Sequence, residues 1–126
     1  MDNSSLLNPN RPSFRSISLT QHARQRAMER INVTSKEQLQ KMALSAKLKG
    51  SLISTLAKDN YKSRGLTLGE FKYLKNHYAT NASTSKSYYR NGIVYVFCGN
   101  HSRTLRTVVK VDDEEMREWI SKYVFE

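Results

Sequence analysis

Tyr88-Tyr89-Arg90-Asn91-Gly92-Ile93-Val94-Tyr95-Val96-Phe97-Cys98 is the stretch that decides the fold. Asn-Gly between two runs rich in β-branched and aromatic residues predicts a tight two-residue hairpin. Both central positions of such a turn take positive φ, where Asn and Gly meet the least steric cost. Gly99 to Ser102 reads as a second turn, and 103–111 as a third β-rich run. The result is a three-stranded antiparallel meander.

Outside the meander the apolar period becomes helical. Leu68, Phe71, Leu74 and Tyr78, with Thr67 and Glu70 at capping-box spacing, predict a helix over 68–78. Leu39, Met42, Ala43 and Ala46 predict another, opened at Thr34 or Ser35 and stopped by Gly50. Residues 19–30 form a third, with Ala23, Ala27 and Ile31 as its apolar stripe. Behind Asp112 and Glu115, Met116, Trp119, Ile120 and Val124 predict a C-terminal helix. Lys58 to Gly65 reads as a basic loop and 79–87 as a polar linker. This is an α+β chain: N-terminal helices packed on a three- to four-stranded antiparallel sheet, with a C-terminal helix. Residues 1–16, rich in Asn, Ser, Pro and Arg, read as a flexible basic arm, and 17–126 as one domain.

The charge narrows the partners. Twenty-one Lys and Arg against 11 Asp and Glu leave a net charge of +10. Six of those acids lie in residues 112–126, so the preceding body is still more basic. Such a field attracts polyanions, and nucleic acid is the expected partner. No clear basic amphipathic helix for a membrane surface is present, and no apolar run is long enough to span a bilayer. The opening residues lack a signal-peptide pattern, and the single Cys98 suits a reducing compartment, so a cytoplasmic location is expected, its own cell's or a target cell's.

The chemistry must come from few groups. Carboxylates are scarce in the basic body, and His22, His77 and His101 have no metal-ligand spacing, so neither a metal nor another cofactor is expected. His22, Arg26 and Arg30 recur every fourth residue and share one helix face. An imidazole moves protons near neutral pH and guanidiniums fork onto phosphate, which suffices for metal-free RNA cleavage by the 2′-hydroxyl. A solvated basic face with an incidental histidine fits the same spacing. Strict alternation along the third strand puts Thr104, Arg106, Val108 and Lys110 on an open basic face and Leu105, Thr107, Val109 and Val111 toward the core. Arg90, Arg103, Arg106 and Lys110 then become nucleic-acid contacts, with Tyr89 a stacking platform for an unpaired base. His101, in a turn between basic strands, is a reserve acid or base.

The segment Leu19-Thr20-Gln21-His22-Ala23-Arg24-Gln25-Arg26-Ala27-Met28-Glu29-Arg30-Ile31 resembles the opening helix of DUF4258-type proteins, and Arg106-Thr107-Val108-Val109 resembles their last strand. The resemblance implies a fold similar to that of the RelE, colicin and barnase-type ribonuclease toxins (the BECR fold). It also implies metal-independent cleavage of tRNA or mRNA. Carried onto this chain, it marks His22, Arg26, Arg30 and Thr107 as the catalytic set. A toxin of this kind would also have an acidic antitoxin or immunity protein as a partner. The alternative is a non-catalytic, basic nucleic-acid-binding or regulatory protein of phage or mobile-element type.

Overall fold

In the computed structural model, residues 13–79 and 85–124 are described. Asn91 and Gly92 take φ of 51° and 81°, as a type I′ turn requires, and join β3 (Ser85–Arg90) to β4 (Ile93–Cys98). β4 pairs antiparallel with β5 (Thr104–Lys110). Two very short strands complete the sheet. β1 (Ser18–Leu19) pairs parallel with β5, and β2 (Ser51–Leu52) pairs antiparallel with β3. The order β1-β5-β4-β3-β2 is therefore a five-stranded mixed sheet, where the sequence predicted three or four antiparallel strands. Two-residue strands carry no periodic signal, and β3 begins within the stretch expected to be a linker.

Four helices cover this sheet: α1 (Gln21–Ile31), α2 (Lys36–Lys49), α3 (Leu68–Tyr78) and α4 (Glu114–Tyr123). Ala23 and Ala27 of α1, with Leu39, Ala43 and Ala46 of α2, pack against Tyr95, Phe97, Leu105 and Val108. On the opposite face, Phe71, Tyr73 and Leu74 of α3 and Met116 of α4 pack against Tyr89, Val94, Val96 and Val109. Alanine on the buried side of α1 lets its backbone lie close to β5. Thr67 and Glu70 form the reciprocal capping box expected from their spacing. Ser13–Ser16, from the stretch expected to be an arm, ends in a 3₁₀ turn whose Phe14 ring lies 5.0 Å from Lys41 Nζ; the rest of that stretch lies outside the described residues.

The faces of β5 differ from the sequence expectation. Val96 pairs with Thr107, but Phe97 pairs with Leu105, so Arg106 is an extra residue in a β-bulge. A bulge shifts the side-chain alternation by one. Val108 consequently joins Leu105 beneath α1 and α2, both fully buried, while the sheet has helices on both faces and no open basic face. Arg106 is exposed because it is the bulged residue.

Candidate functional site

α1 is held against β5 by three hydrogen bonds to strand carbonyls. Thr20, the N-cap, accepts from Ala23 N–H through Oγ1 at 2.9 Å and donates the same hydroxyl to the Arg106 carbonyl at 3.0 Å. Thr20 N–H donates to the Leu105 carbonyl at 3.2 Å. Farther along, Arg30 Nη1 donates to the Val108 carbonyl at 2.8 Å. Helix and strand thus run side by side from Leu105 to Val108, while Thr107 pairs with Val96 and so turns its side chain to the α3/α4 face.

The stripe changes character along its length. His22, in the first turn of α1, is exposed. Arg26 is half-buried, with Nη1 2.9 Å from Glu29 Oε1. An exposed i,i+3 pair of this kind contributes about 0–1 kcal/mol, so Arg26 can leave Glu29 for a stronger anion. Arg30 is more enclosed and, besides the Val108 carbonyl, lies 3.8 Å from Asp113 Oδ2. Its charge also reaches the phenols of Tyr73 and Tyr78 on α3. Burial chiefly raises both phenols above the ordinary tyrosine range, and a hydrogen bond joins the two. Arg30 therefore links three elements and is more firmly held than Arg26.

Two buried polar atoms in this region lack partners among the described residues. Arg26 Nε and Thr107 Oγ1 are both inaccessible and unbonded. Burying a polar group without a partner costs about 1–3 kcal/mol, so such atoms mark sites that stability alone does not explain. Both belong to the four residues marked by the toxin resemblance.

The other expected contacts scatter. Arg103 and Arg106 are exposed at the beginning of β5, Lys110 at its end, and Arg90 is half-exposed at the hairpin turn. Tyr89 is 6 % exposed, and its hydroxyl donates to the Arg64 carbonyl at 3.0 Å. It cannot stack on a base: pairing with both β2 and β4 puts its ring in the core under α3. Tyr88 packs edge-on against Phe97 at 5.7 Å. His77 lies stacked on Tyr73 at 4.3 Å and edge-on to Trp119 at 4.9 Å, a structural placement. His101 is exposed with φ of 57°, and Lys47 Nζ donates to its carbonyl and that of Ser102 at 3.1 and 2.8 Å. Burial, then Arg103 and Lys86, lower the Lys47 pKa.

Two cavities open at the hairpin end of the sheet. The larger, about 470 Å³, is lined by Arg30 and Lys110 but also by Glu70 and Asp112, so its charges balance. The smaller, about 250 Å³, is lined by Lys49, Arg64 and Arg90 and by no carboxylate. Reading the sequence by elements missed Lys49 and Arg64, which come from separate turns. The only available signal was the density of Lys and Arg between 47 and 64. Among the described residues no group of three or more His, Cys, Asp or Glu could hold a metal ion, and no helix is long and apolar enough to cross a membrane. No family model, curated protein or solved structure matches this chain.

Proposed function

We propose that the protein is a metal-independent, toxin-type endoribonuclease that cleaves tRNA or mRNA in the cytoplasm. The observation that supports this most is the α1–β5 seam. There an exposed imidazole and a releasable guanidinium on α1 run beside β5, the strand that carries an unpartnered buried hydroxyl.

His22 takes the proton from the ribose 2′-hydroxyl. The 2′-oxygen forms a bond to phosphorus, the bond from phosphorus to the 5′-oxygen breaks, and the leaving oxygen takes a proton from imidazolium or water. Arg26 turns from Glu29 to the phosphate and offsets the charge that develops there. Thr107 Oγ1 donates to a phosphate oxygen or orients Arg26. Arg30 is a positioning residue, because its donors already hold α1 to β5 and to Asp113. Arg103 and Arg106 extend the basic track for RNA, and an acidic antitoxin or immunity protein would cover the same surface.

The engagement of Arg26 and Arg30 by Glu29 and Asp113 favours a second reading, in which the basic surface binds nucleic acid without cleaving it. Incubating total RNA with the purified protein in EDTA separates the two. The ribonuclease reading expects discrete fragments from the wild type and none from His22→Ala at equal folding. Intact RNA that is nonetheless bound supports the second reading and overturns the first.

A further inference from the structure

We propose that the cavity formed by Lys49, Arg64 and Arg90 is a phosphate-binding subsite, separate from the α1–β5 seam, that holds a backbone phosphate of a single RNA strand. The RNA assignment rests on the function proposed above; the phosphate site itself does not.

Three turns build this cavity. Lys49 ends α2, Arg64 ends the 3₁₀ turn Lys62–Arg64, and Arg90 ends β3. Gly50 lets the first turn approach the sheet. A Cβ there would lie 2.5 Å from the Ala46 carbonyl oxygen and 2.8 Å from that of Tyr89. Gly65, at φ 81°, reverses the chain after Arg64, and the Tyr89 hydroxyl ties that turn to β3 through the Arg64 carbonyl. The backbone that carries the cations is thus fixed, and an anion has only their side chains left to order.

No described residue neutralises them. None of the three side chains forms an ion pair with a described residue, and no carboxylate lines the cavity. Three like charges around one concavity repel one another, an arrangement that an anion relieves. Ser51 lines the same cavity, and its Oγ is buried without a hydrogen-bond partner. An unpartnered hydroxyl beside unpaired guanidiniums is a donor set suited to phosphate oxygens. The volume, about 250 Å³, falls below the roughly 300–1,000 Å³ of sites for drug-sized ligands, which suits one phosphate and its sugar.

The position suits a strand that also reaches the seam. The cavity adjoins the charge-balanced one, sharing Tyr89 and Asn91, and Arg30 of the seam lines that neighbour. β5 and β2 are three strand spacings apart, about 14 Å. RNA crossing the hairpin end could contact both.

The test uses two probes on the full chain. In the first, inorganic phosphate is titrated while backbone amides are followed by NMR. Shifts confined to Lys49–Ser51, Ser63–Arg64 and Arg90–Asn91, and lost in Arg64→Gln/Arg90→Gln, support the site. Absent shifts, or shifts spread evenly over the basic surface, overturn it. In the second, a labelled 2′-O-methyl decauridylate, which has no free 2′-hydroxyl to attack, is bound at several salt concentrations. Arg64→Gln/Arg90→Gln should weaken binding about tenfold and lower the salt slope by about 0.7 to 1. The exposed single variant Lys49→Gln should move both in the same direction if the double variant folds poorly. Phosphate binding with an unchanged RNA slope overturns the RNA assignment and identifies a free phosphate or small phosphorylated ligand. His22→Ala should leave the phosphate titration unaltered, so lost cleavage with intact phosphate binding separates failure here from failure of the ribonuclease reading.

Discussion

The α1 stripe and the Lys49–Arg64–Arg90 cavity are both basic, but their cations are in opposite states. In the stripe, Glu29 holds Arg26, and Asp113 and the Val108 carbonyl hold Arg30. In the cavity no described carboxylate pairs with any of the three cations. Paired cations are already oriented, and the firmest of them stabilise the fold. Unpaired cations repel one another until an anion arrives. Positive charge alone therefore does not identify a ligand site, and the partner of each cation is more informative.

The largest effect that would break this contrast concerns rate. His22→Ala should lower kcat/KM for RNA by about 10²- to 10⁴-fold, the usual contribution of a general acid or base. Its exposure means the melting temperature should hardly move. Arg26→Ala should fall in the same direction by up to about 10²-fold, with stability changed by less than about 1 kcal/mol. A large stability loss in either variant would mean that the outer stripe is structural.

Arg30→Ala should behave differently. It leaves the Val108 carbonyl without its donor and Asp113 without its ion pair, which should cost about 1–3 kcal/mol in urea unfolding. An Arg30→Ala protein as stable as the wild type would show that Arg30, like Arg26, is free for ligand.

Thr107→Val is a smaller but more selective test. Valine has nearly the same shape and removes the unpartnered hydroxyl, so the fold should gain about 1 kcal/mol. Cleavage should fall at the same time. A gain in stability without loss of activity would remove Thr107 from the site.

A separate effect, on stability alone, is the dependence on alkaline pH. Burial pushes the Tyr95 hydroxyl up to about 12 and raises Tyr78 further, against about 10 in the unfolded chain. The folded state holds these protons more tightly. Their contribution is complete below about pH 10 and is lost as pH rises from there through 12. Lys47, whose pKa burial lowers, acts in the opposite sense as pH approaches 10.5. Urea midpoints between pH 9 and 11.5 should fall, and Tyr95→Phe should flatten part of that fall.

Much of the fold was legible because its local signals are strong. Asn91-Gly92 specified the hairpin, and capping residues with apolar stripes specified four helices. What failed depends on tertiary context. Ser85-Lys86-Ser87 has little strand propensity, yet pairs with Val96, Phe97 and Cys98. The bulge at Arg106 has no sequence marker, and it moved Leu105 onto the face of Val108, away from Thr107 and Val109. Tyr89 looked available because it lies among basic residues, but its ring packs in the core under α3. Spacing put His22, Arg26 and Arg30 on one face. Which of them would be engaged depended on Glu29 and Asp113; Asp113 is 83 positions from Arg30 and could not be read from the helix alone.

The central claim is that the α1–β5 seam cleaves RNA through the 2′-hydroxyl. Its most direct test is the end-group chemistry of products formed in EDTA. The wild type should give 2′,3′-cyclic phosphate and 5′-hydroxyl ends, and His22→Ala should give no products. Uncleaved RNA, 5′-phosphate ends, or cleavage that survives in His22→Ala would contradict it.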